Sequence, residues 1–529
     1  MYVTPIYCIS IATLSLVKYT KNSVEKNNLQ NKNFYKFVIS MSYMILLMSV
    51  IVGFYANFTG NFNVLYVYTS NVELFSFSLD CLKLYFLIIS NLIMVISLIS
   101  FKDQDIDKSF YDFVSIENEQ CDYSSNKKHY FLFIALVFTL HAILHFMFIT
   151  DNILVFFIFF EASIIPIFSI IGFFGKRSIK FKAMNYILYF TLVSAIPLLL
   201  AIVFIWSKVG TFYYPIIKFF FYNNAAFFSI EVLIFLFFCF FIPFAVKLAL
   251  FPFHTWLPEA HVESSTEGSI ILSGIMLKLG FYGIIKFCIG FFAVITLKVS
   301  AYIFTCAILG SIATSFAMYK QLDIKKVIAY SSVVHMNIAI CGFFSCSQTA
   351  TAGALLFSFS HALSSAGLFC AVGYLHDKLK TRNLLEISGL CVYMPKWSFL
   401  FFILILTNAS LPGTISFVSE ITLIGGLFEF FPITSCFLLI PIVVSSYRNF
   451  ILFTQLCMGV PSSYLNPYFI SEYNEKKILI VKHWDINIYS GEGLVLCFIC
   501  FFSVYTGLMP AFFINLIKWT AVCIELGIL

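Results

Sequence analysis

The stretch that decides the fold extends from residue 230 to residue 261 and has the sequence IEVLIFLFFCFFIPFAVKLALFPFHTWLPEAH. Its first part is continuously apolar, and a helix needs about 20 such residues to cross ~30 Å of hydrocarbon. Lys247 lies inside this apolar stretch, and Pro252 follows five residues later. A charged group at mid-bilayer costs roughly 2.5–3.5 kcal/mol, and an interior proline removes a helical hydrogen bond. The stretch therefore predicts an interrupted membrane helix that carries a functional lysine.

The composition of the whole chain is typical of a membrane protein. Of its 529 residues 60% are hydrophobic and 11% are charged, whereas about a quarter of the residues in soluble domains are charged. The apolar runs are long and lack the alternation of barrel strands, so they predict an all-α integral membrane protein. The net charge of +6 comes largely from lysine and arginine in short loops, and no basic region with interleaved aromatic residues predicts binding to nucleic acid.

About fourteen membrane-spanning helices are predicted. They are centred on residues 3–17, 37–58, 81–101, 130–149, 152–174, 183–206, 230–256, 268–291, 299–319, 325–345, 350–374, 398–428, 431–456 and 493–516.

Spans 7 and 12 share an unusual feature. In each, a proline lies near an ionisable residue: Pro252 follows Lys247, and Pro412 precedes Glu420. In transporters, interrupted helices at matching positions of two inverted repeats carry the ion sites. We therefore predict two inverted five-helix repeats, spans 4–8 and 9–13, each with one broken helix. The corresponding domains are residues 1–129, 130–291, 298–457 and 458–529.

Lysine and arginine are distributed unequally between the two sets of loops. Loops after odd-numbered spans contain 23 of these residues, and loops after even-numbered spans contain four, assigned as Lys208, Lys218, Lys286 and Lys298. Because basic loops remain on the inner side of a membrane, both termini are predicted to face outward. In a mitochondrion this side is the intermembrane space.

Eight ionisable residues within or beside the spans are candidates for proton transfer. Burial disfavours the charged form of a lysine or glutamate and an opposite charge restores it, so a group whose partner can move is able to exchange protons near neutral pH. If the helix of span 7 continues, two of the histidines follow Lys247 at steps of two helical turns. The eight candidates are Glu161, Lys247, His254, His261, Lys278, His335, His361 and Glu420.

Simpler interpretations remain for several residues. Glu161 and Lys247 could form a static ion pair, and His335 and His361 could be hydrogen-bonded core residues. His141 and His145 have the i, i+4 spacing of metal ligands, but we favour packing against polar neighbours. Asp80 and Asp151 are interpreted as solvated groups at the membrane interface. No motif for nucleotides or iron–sulfur clusters is present, so we expect neither a cofactor nor a metal in this chain.

Several motifs resemble the antiporter-like subunits of respiratory complex I. They are KLALFPFHTWLPEAHVE at 247–263, GIMLKLG at 274–280, DIKKVIAYSSVVH at 323–335 and HALSSAGLF at 361–369. The resemblance covers roughly residues 70–460, and it includes Phe160-Glu161 and Leu79-Asp80. The glutamate at Glu420 resembles the subunit 4 branch, because the sibling subunits have lysine at this position. The end of the chain after span 14, without a long lateral helix, agrees with that branch.

The resemblance implies a proton relay that is coupled to redox chemistry elsewhere. Glu161 would modulate Lys247, Lys278 with His335 would connect two half-channels, and His361 would lead to Glu420 as the exchange site. His254 and His261 would belong to the same relay. The chain would be a non-redox subunit of an H⁺-translocating NADH:ubiquinone reductase.

The resemblance also implies where the chain works and with what. NADH, FMN, iron–sulfur clusters and quinone would bind to partner subunits. The partners would be other membrane-arm subunits, especially the sibling antiporter-like subunits, together with membrane lipids. The location would be the mitochondrial inner membrane rather than a bacterial plasma membrane. The first alternative is a stand-alone or Mrp-type cation/proton antiporter subunit. The others are a purely structural membrane-arm subunit that has lost transport and a solute transporter of another class.

Overall fold

The computed structural model describes most of the chain as helices. The described residues are 4–20, 37–50, 76–105, 123–175, 177, 179–224, 228–345, 347–460, 485–511 and 513–514. Within these ranges the only β structure consists of isolated bridges. The prediction of an all-α protein is confirmed.

Eleven helices in the described part of the chain are long and apolar enough to cross a membrane. The prediction of fourteen spans remains a prediction. In chain order the helices are α1 Thr4–Thr20, α2 Phe37–Val50, α3 Cys81–Asp105, α4 Tyr123–Ile149, α5 Ile153–Ala162, α6 Ile164–Phe174, α7 Lys180–Val209, α8 Tyr214–Asn224, α9 Ile230–Lys247, α10 Trp256–Glu263, α11 Thr266–Ile289, α12 Ala293–Ala317, α13 Ile324–Phe344, α14 Gln348–Leu379, α15 Leu390–Tyr393, α16 Pro395–Asn408, α17 Ile415–Phe430, α18 Pro432–Cys457 and α19 Gly491–Leu508.

The helices form two compact units. Unit 1 contains the described residues within 4–248 and 263–298, and unit 2 contains those within 249–262 and 299–514. The boundary near residue 298 lies where the second predicted repeat begins, whereas residues 249–262 belong to unit 2. The inverted-repeat relation between the two sets of helices remains a prediction.

Helix α11 is the buried centre of unit 1. It is buried from Glu267 to Cys288 and packs against α3 and α9. The close approach to α9 requires glycine, because a Cβ atom on Gly283 would lie 2.3 Å from the Phe244 ring. Two π-helical segments, Leu272–Met276 and Ile284–Ile289, widen the helix. Single π-helical turns are common at functional sites, and here one precedes Lys278 and the other contains Lys286.

Three loops meet at one end of unit 1. The backbone N–H of Asp151 donates to the carbonyl of Ser76 at 3.0 Å, and that of Tyr214 donates to the carbonyl of Asp151 at 2.8 Å. Antiparallel bridges pair Phe77 with Thr150 and Asn152 with Tyr213. These backbone bonds hold the start of α3, the α4–α5 connection and the start of α8 together.

Predicted spans 7 and 12 are each interrupted near the proline that indicated a break. Helix α9 ends at Lys247, and the irregular segment 248–255 that follows contains a cis peptide bond at Phe251–Pro252. In unit 2, α16 ends at Asn408 and α17 begins at Ile415. The intervening loop contains Gly413 with φ of 93°, a left-handed conformation that glycine adopts without a steric penalty.

Helix α14 has the corresponding central position in unit 2. Its 32 residues pack against α13, α16, α17 and α19. The contact with α17 is close because Gly353 and Gly426 have no side chain at the crossing. This packing places His361 of α14 and Glu420 of α17 on neighbouring helices of unit 2.

Candidate functional site

Lys247 is buried at the C-terminal end of α9. Its Nζ donates to the carbonyl of Phe160 at 2.7 Å and to Oγ of Ser163 at 3.0 Å. The same Nζ lies 3.8 Å from the centre of the Phe160 ring. Ser163 occupies the joint between α5 and α6, where the regular helix is interrupted and its hydroxyl can face the lysine. The ammonium group is therefore held by neutral groups. The spacing of Lys247 from Phe160 and Ser163 in the sequence did not predict these contacts.

Glu161 does not form a direct ion pair with Lys247. Both carboxylate oxygens of Glu161 are buried and have no hydrogen-bond partner within the described residues. The two charges are close enough to attract each other. The direct ion pair between these two residues that the sequence allowed is therefore not formed.

Lys278 is buried in the middle of α11. Its Nζ donates to the carbonyl of Ser273 at 2.7 Å. Ser273 belongs to the first π-helical segment of α11, where the wider turn changes the pairing of backbone carbonyls. The side chain thus leans toward the N-terminal end of its helix, as long helical side chains do.

His335 and His361 lie side by side in unit 2. Their ring centres are 5.7 Å apart, and both residues are buried on α13 and α14. One residue before His361, the hydroxyl of Ser360 is 3.4 Å from that of Ser419. Ser419 directly precedes Glu420, which is also buried. The three predicted groups of unit 2 therefore lie on adjoining helices.

His254 and His261 do not continue a helix from Lys247, so the predicted helical steps are wrong. The helix ends at Lys247, and the two histidines belong to unit 2. His261 is fully buried and stacks on Phe369, with ring centres 4.6 Å apart and planes inclined by 10°. His254 stacks on the ring of Phe251 at 5.7 Å. The cause is the irregular segment 248–255, which interrupts the helix between the lysine and the histidines.

A buried charge cluster in unit 1 was missed by the sequence analysis. Lys83 Nζ lies 2.5 Å from Oδ1 of Asp151 and 3.5 Å from Oδ2 of Asp80, and Lys286 Nζ lies 3.7 Å from the same Asp151 oxygen. The side chains of Lys83, Asp151 and Lys286 are at most 5% exposed, whereas that of Asp80 is 23% exposed. We call these four residues the Asp151 cluster.

Two interpretations of these residues are corrected. Lys286, assigned to a loop, lies inside α11, and Asp151, interpreted as solvated, is buried. The available signal was Lys83, a charged residue three positions after Asp80 at the start of an apolar run. Burial alone would raise the pKa of the Asp151 carboxyl. The charges of Lys83 and Lys286, with hydrogen bonds from Lys83 and Ser78, hold its pKa below its ordinary value.

His141 and His145 form a hydrogen-bonded group with Asn91. The Nε2 atoms of both rings lie 2.8 Å from Oδ1 of Asn91. Thr4 and Cys8 contact their Nδ1 atoms at 2.8 and 3.1 Å. Among the described residues no group of three or more histidine, cysteine, aspartate or glutamate residues could hold a metal. The hydrogen bonds to Asn91, Thr4 and Cys8 agree with packing against polar neighbours.

Comparison with known proteins gives the family. Residues 150–445 match the family described as NADH:quinone oxidoreductase/Mrp antiporter, transmembrane. NADH-ubiquinone oxidoreductase chain 4 of Acanthamoeba castellanii is 37% identical over 401 residues, which is 75% of each chain. The chain belongs to the NADH-ubiquinone oxidoreductase chain 4 family.

Solved structures share the fold of this chain 4 family member. A chain of respiratory complex I from Thermus thermophilus with bound NADH has a TM-score of 0.77 at 18% identity, with 99% of both chains covered. A chain of the Mrp complex from Dietzia sp. DQ12-45-1b has a TM-score of 0.75 at 15% identity, with 98% of both covered. At these identities the likeness is one of fold.

The family match includes every candidate residue of this chain 4 family member. All eight candidates lie within residues 150–445, as do Asp151 and Lys286. Asp80 and Lys83 lie before the matched region. The resemblance to the subunit 4 branch that Glu420 indicated is confirmed.

Proposed function

We propose that this chain is a proton-translocating, non-redox membrane subunit of an NADH:ubiquinone oxidoreductase. One observation carries the proposal: ionisable side chains are buried inside apolar helices of both units, in a chain of this family. A passive membrane anchor gains nothing from such residues, because each costs free energy to insert. These residues are Lys247 and Lys278 in unit 1 and His335, His361 and Glu420 in unit 2. Glu161 of unit 1 is half-buried, and both of its carboxylate oxygens are covered.

In unit 1, the proposed exchange depends on the distance between Glu161 and Lys247. Lys247 is held by a carbonyl, a hydroxyl and a ring, which orient the ammonium without neutralising it. Approach of the Glu161 carboxylate stabilises the ammonium, and withdrawal favours its deprotonation. The released proton passes to Lys278, the other buried cation of the relay in this unit.

In unit 2, the proposed route passes through two histidines to Glu420. Imidazole can accept a proton on one nitrogen and release it from the other. The 5.7 Å between the ring centres of His335 and His361 allows transfer through one intervening water. Ser360 and Ser419 lie between the helices that carry His361 and Glu420. His254 and His261 are further members of the proposed relay, with ring orientations fixed by Phe251 and Phe369.

The driving energy is proposed to come from other subunits. NADH oxidation at FMN, electron transfer through iron–sulfur clusters and quinone reduction would take place there. The proposed partners are the other membrane-arm subunits, especially sibling antiporter-like subunits, and membrane lipids. The proposed location is the mitochondrial inner membrane, with both termini in the intermembrane space.

The test compares proton translocation with electron transfer in the assembled complex. Lys247→Met, Lys278→Met and Glu420→Gln each remove one proton-exchanging group, so we expect reconstituted complexes to lose proton translocation per NADH oxidised. Lys208→Met is the matched control, because Lys208 is exposed at the end of α7. Its complex should translocate protons normally.

Two outcomes would contradict the proposal. Normal translocation in all three variants would exclude the buried relay. Purification of the chain in a complex without NADH:quinone activity, but with Na⁺/H⁺ exchange, would favour the Mrp-type alternative.

A further inference from the structure

The Asp151 cluster lies outside the relay proposed above. We propose that it is a proton-release site for Lys278, in which Lys286 takes up the proton and passes it to the end of unit 1 formed by the α4–α5 connection. The inference rests on the proposed function, because it requires Lys278 to carry a proton.

Short contacts link the members of the cluster in a line from the buried Lys286 to the partly exposed Asp80. Lys286 Nζ lies 3.0 Å from the Tyr282 hydroxyl and 3.7 Å from the Asp151 carboxylate. Asp151 binds Lys83, and Lys83 binds Asp80. The side chain of Asp80 is 23% exposed, so the line of titratable groups ends at an accessible carboxylate.

Helix α11 connects this line to Lys278. Lys278, Tyr282 and Lys286 follow one another at four-residue intervals, which places neighbouring side chains about one helical turn apart. In the structure Lys278 donates to the carbonyl of Ser273, which lies toward the N-terminal end of the helix, whereas Tyr282 lies toward the C-terminal end. Its four-carbon stem is flexible. The ammonium can therefore alternate between Ser273 and the hydroxyl of Tyr282.

The two lysines of the cluster are held differently. Lys83 lies between two carboxylates and also donates to Ser78. Lys286 lies farther from Asp151, and its short hydrogen bonds go to neutral acceptors, the carbonyl of Thr150 and the hydroxyl of Tyr282, both at 3.0 Å. A buried lysine with the weaker anionic contact loses its proton more readily. Lys286 is therefore the exchanging group, and Lys83 is a fixed counter-charge.

Two further titratable groups, Tyr214 and Lys218, lie beside the cluster. The Tyr214 hydroxyl donates to the backbone carbonyl of Lys286, which fixes the helix at that point. Lys218 on α8 is half-buried and attracted by Asp80. Burial lowers the pKa of Lys218 to about 8, so this lysine can also exchange protons close to neutral pH.

The transfer conserves protons and charge at each step. The Lys278 ammonium loses a proton and becomes a neutral amine, while the Lys286 amine gains a proton and becomes an ammonium beside Asp151. The Tyr282 hydroxyl, which donates to the carbonyl of Phe148 at 3.1 Å in the structure, turns to donate its own proton to Lys286 and receives one from Lys278. The Lys286 ammonium then gives its proton to the Asp151 carboxylate 3.7 Å away, and Asp151 gives it to water that enters beside the partly exposed Asp80, which leaves Asp151 ionised again.

The test uses charge-conserving substitutions in the assembled complex. Arginine keeps the cation but cannot be deprotonated in a protein. We expect Lys286→Arg to abolish the part of proton translocation that passes through this chain while the complex assembles normally. Lys208→Arg, the same change at an exposed lysine at the end of α7, should translocate normally. Tyr282→Phe, which removes only the hydroxyl, should reduce translocation and leave assembly intact.

The outcomes separate this inference from the proposed function. Loss of translocation in Lys278→Met with normal translocation in Lys286→Arg and Tyr282→Phe would make the cluster a structural ion pair and overturn the inference alone. Normal translocation in Lys278→Met would overturn the proposed function as well. If Lys286→Arg prevents assembly, the result with Tyr282→Phe decides between the two interpretations.

Discussion

At the scale of the residue, the buried lysines of unit 1 fall into two groups. Lys247 and Lys278 donate to neutral oxygens, whereas Lys83 is bound directly to carboxylates. A cation that is fully paired in a dry interior is stabilised in its charged form, and one held by neutral groups is not. These contacts fit a fixed counter-charge at Lys83 and the proton exchange that we propose for Lys247.

Removing the Asp151 carboxylate should destabilise unit 1. Asp151→Asn leaves Lys83 and Lys286 buried beside a neutral group, and breaking a buried pair in this way costs roughly 3–5 kcal/mol. We expect lower abundance of the complex and a lower unfolding temperature in detergent. Asp80→Asn is the control, because the partly exposed Asp80 should cause a smaller loss. Equal stability of Asp151→Asn and wild type would show that the cluster contributes no ion-pair energy.

The same carboxylate sets a pH dependence of stability. Because the pKa of Asp151 in the folded protein lies below its ordinary value of 3.8, its ionised form stabilises the fold. This contribution is fully present above pH 3.8 and is lost as the pH falls through the lowered pKa. We expect unfolding experiments to show an acid-induced loss of stability in this range in wild type. The loss should be smaller in Asp151→Asn, and the same acid dependence in both proteins would contradict the assignment.

At the scale of the element, helix packing positions the groups of unit 2. The crossing of α14 and α17 depends on glycine, because a Cβ atom on Gly426 would lie 2.3 Å from the backbone nitrogen of Ala350. Helix α17 begins at Ile415, after the break, and carries Glu420 in its second turn. Proline and glycine in the sequence predicted this break, but the partner helix of α17 could not be predicted from them.

Two adjacent glycines of α17 provide a matched test of this packing. Gly426→Ala forces the helices apart, and such overpacking costs about 1–3 kcal/mol. Gly425→Ala should be tolerated, because a Cβ atom there has no atom within 4 Å. Thermal unfolding of the two variant complexes measures the difference. Similar unfolding temperatures would show that α14 and α17 can separate at no cost.

At the scale of the whole molecule, the unequal distribution of lysine and arginine predicts the orientation in the membrane. Helix α7 offers a test within unit 1, because Lys182 lies in its first turn and Lys208 in its last turn. Both residues are exposed, and they are separated by roughly 39 Å at 1.5 Å per residue. The positive-inside rule places Lys182 on the inner side and Lys208 on the outer side.

Cysteine labelling should reveal this orientation. In membranes with the outer face accessible, an impermeant maleimide should label Lys208→Cys at once and Lys182→Cys only after permeabilisation. The unsubstituted chain is the control for its own free cysteines, of which Cys306 and Cys436 are exposed. Labelling in the reverse order would invert the predicted topology and place both termini on the inner side.

The sequence by itself determined the membrane class, the positions of the helix interruptions and the burial of Lys247, Lys278 and Glu420, but not that of Lys83, Asp151 and Lys286. Hydropathy is a property of consecutive residues, because a spanning helix satisfies its own backbone and presents its side chains to lipid or to other helices. A proline or a lysine in an apolar run can be identified from the sequence, because it differs from the consecutive residues around it. The motifs from Lys247 to His361 therefore gave the family before any contact was known.

Only the tertiary structure decided which of these groups meet. Lys83 and Lys286 bind one carboxylate although they are 68 and 135 positions from Asp151 in sequence. Lys247 is held by Phe160 and Ser163 rather than by Glu161, and the turn after Lys247 separates it from the histidines that sequence spacing had aligned with it. The free energy of a buried charge depends on the atoms within a few ångströms of it, and those atoms come from distant parts of the chain that only packing brings together.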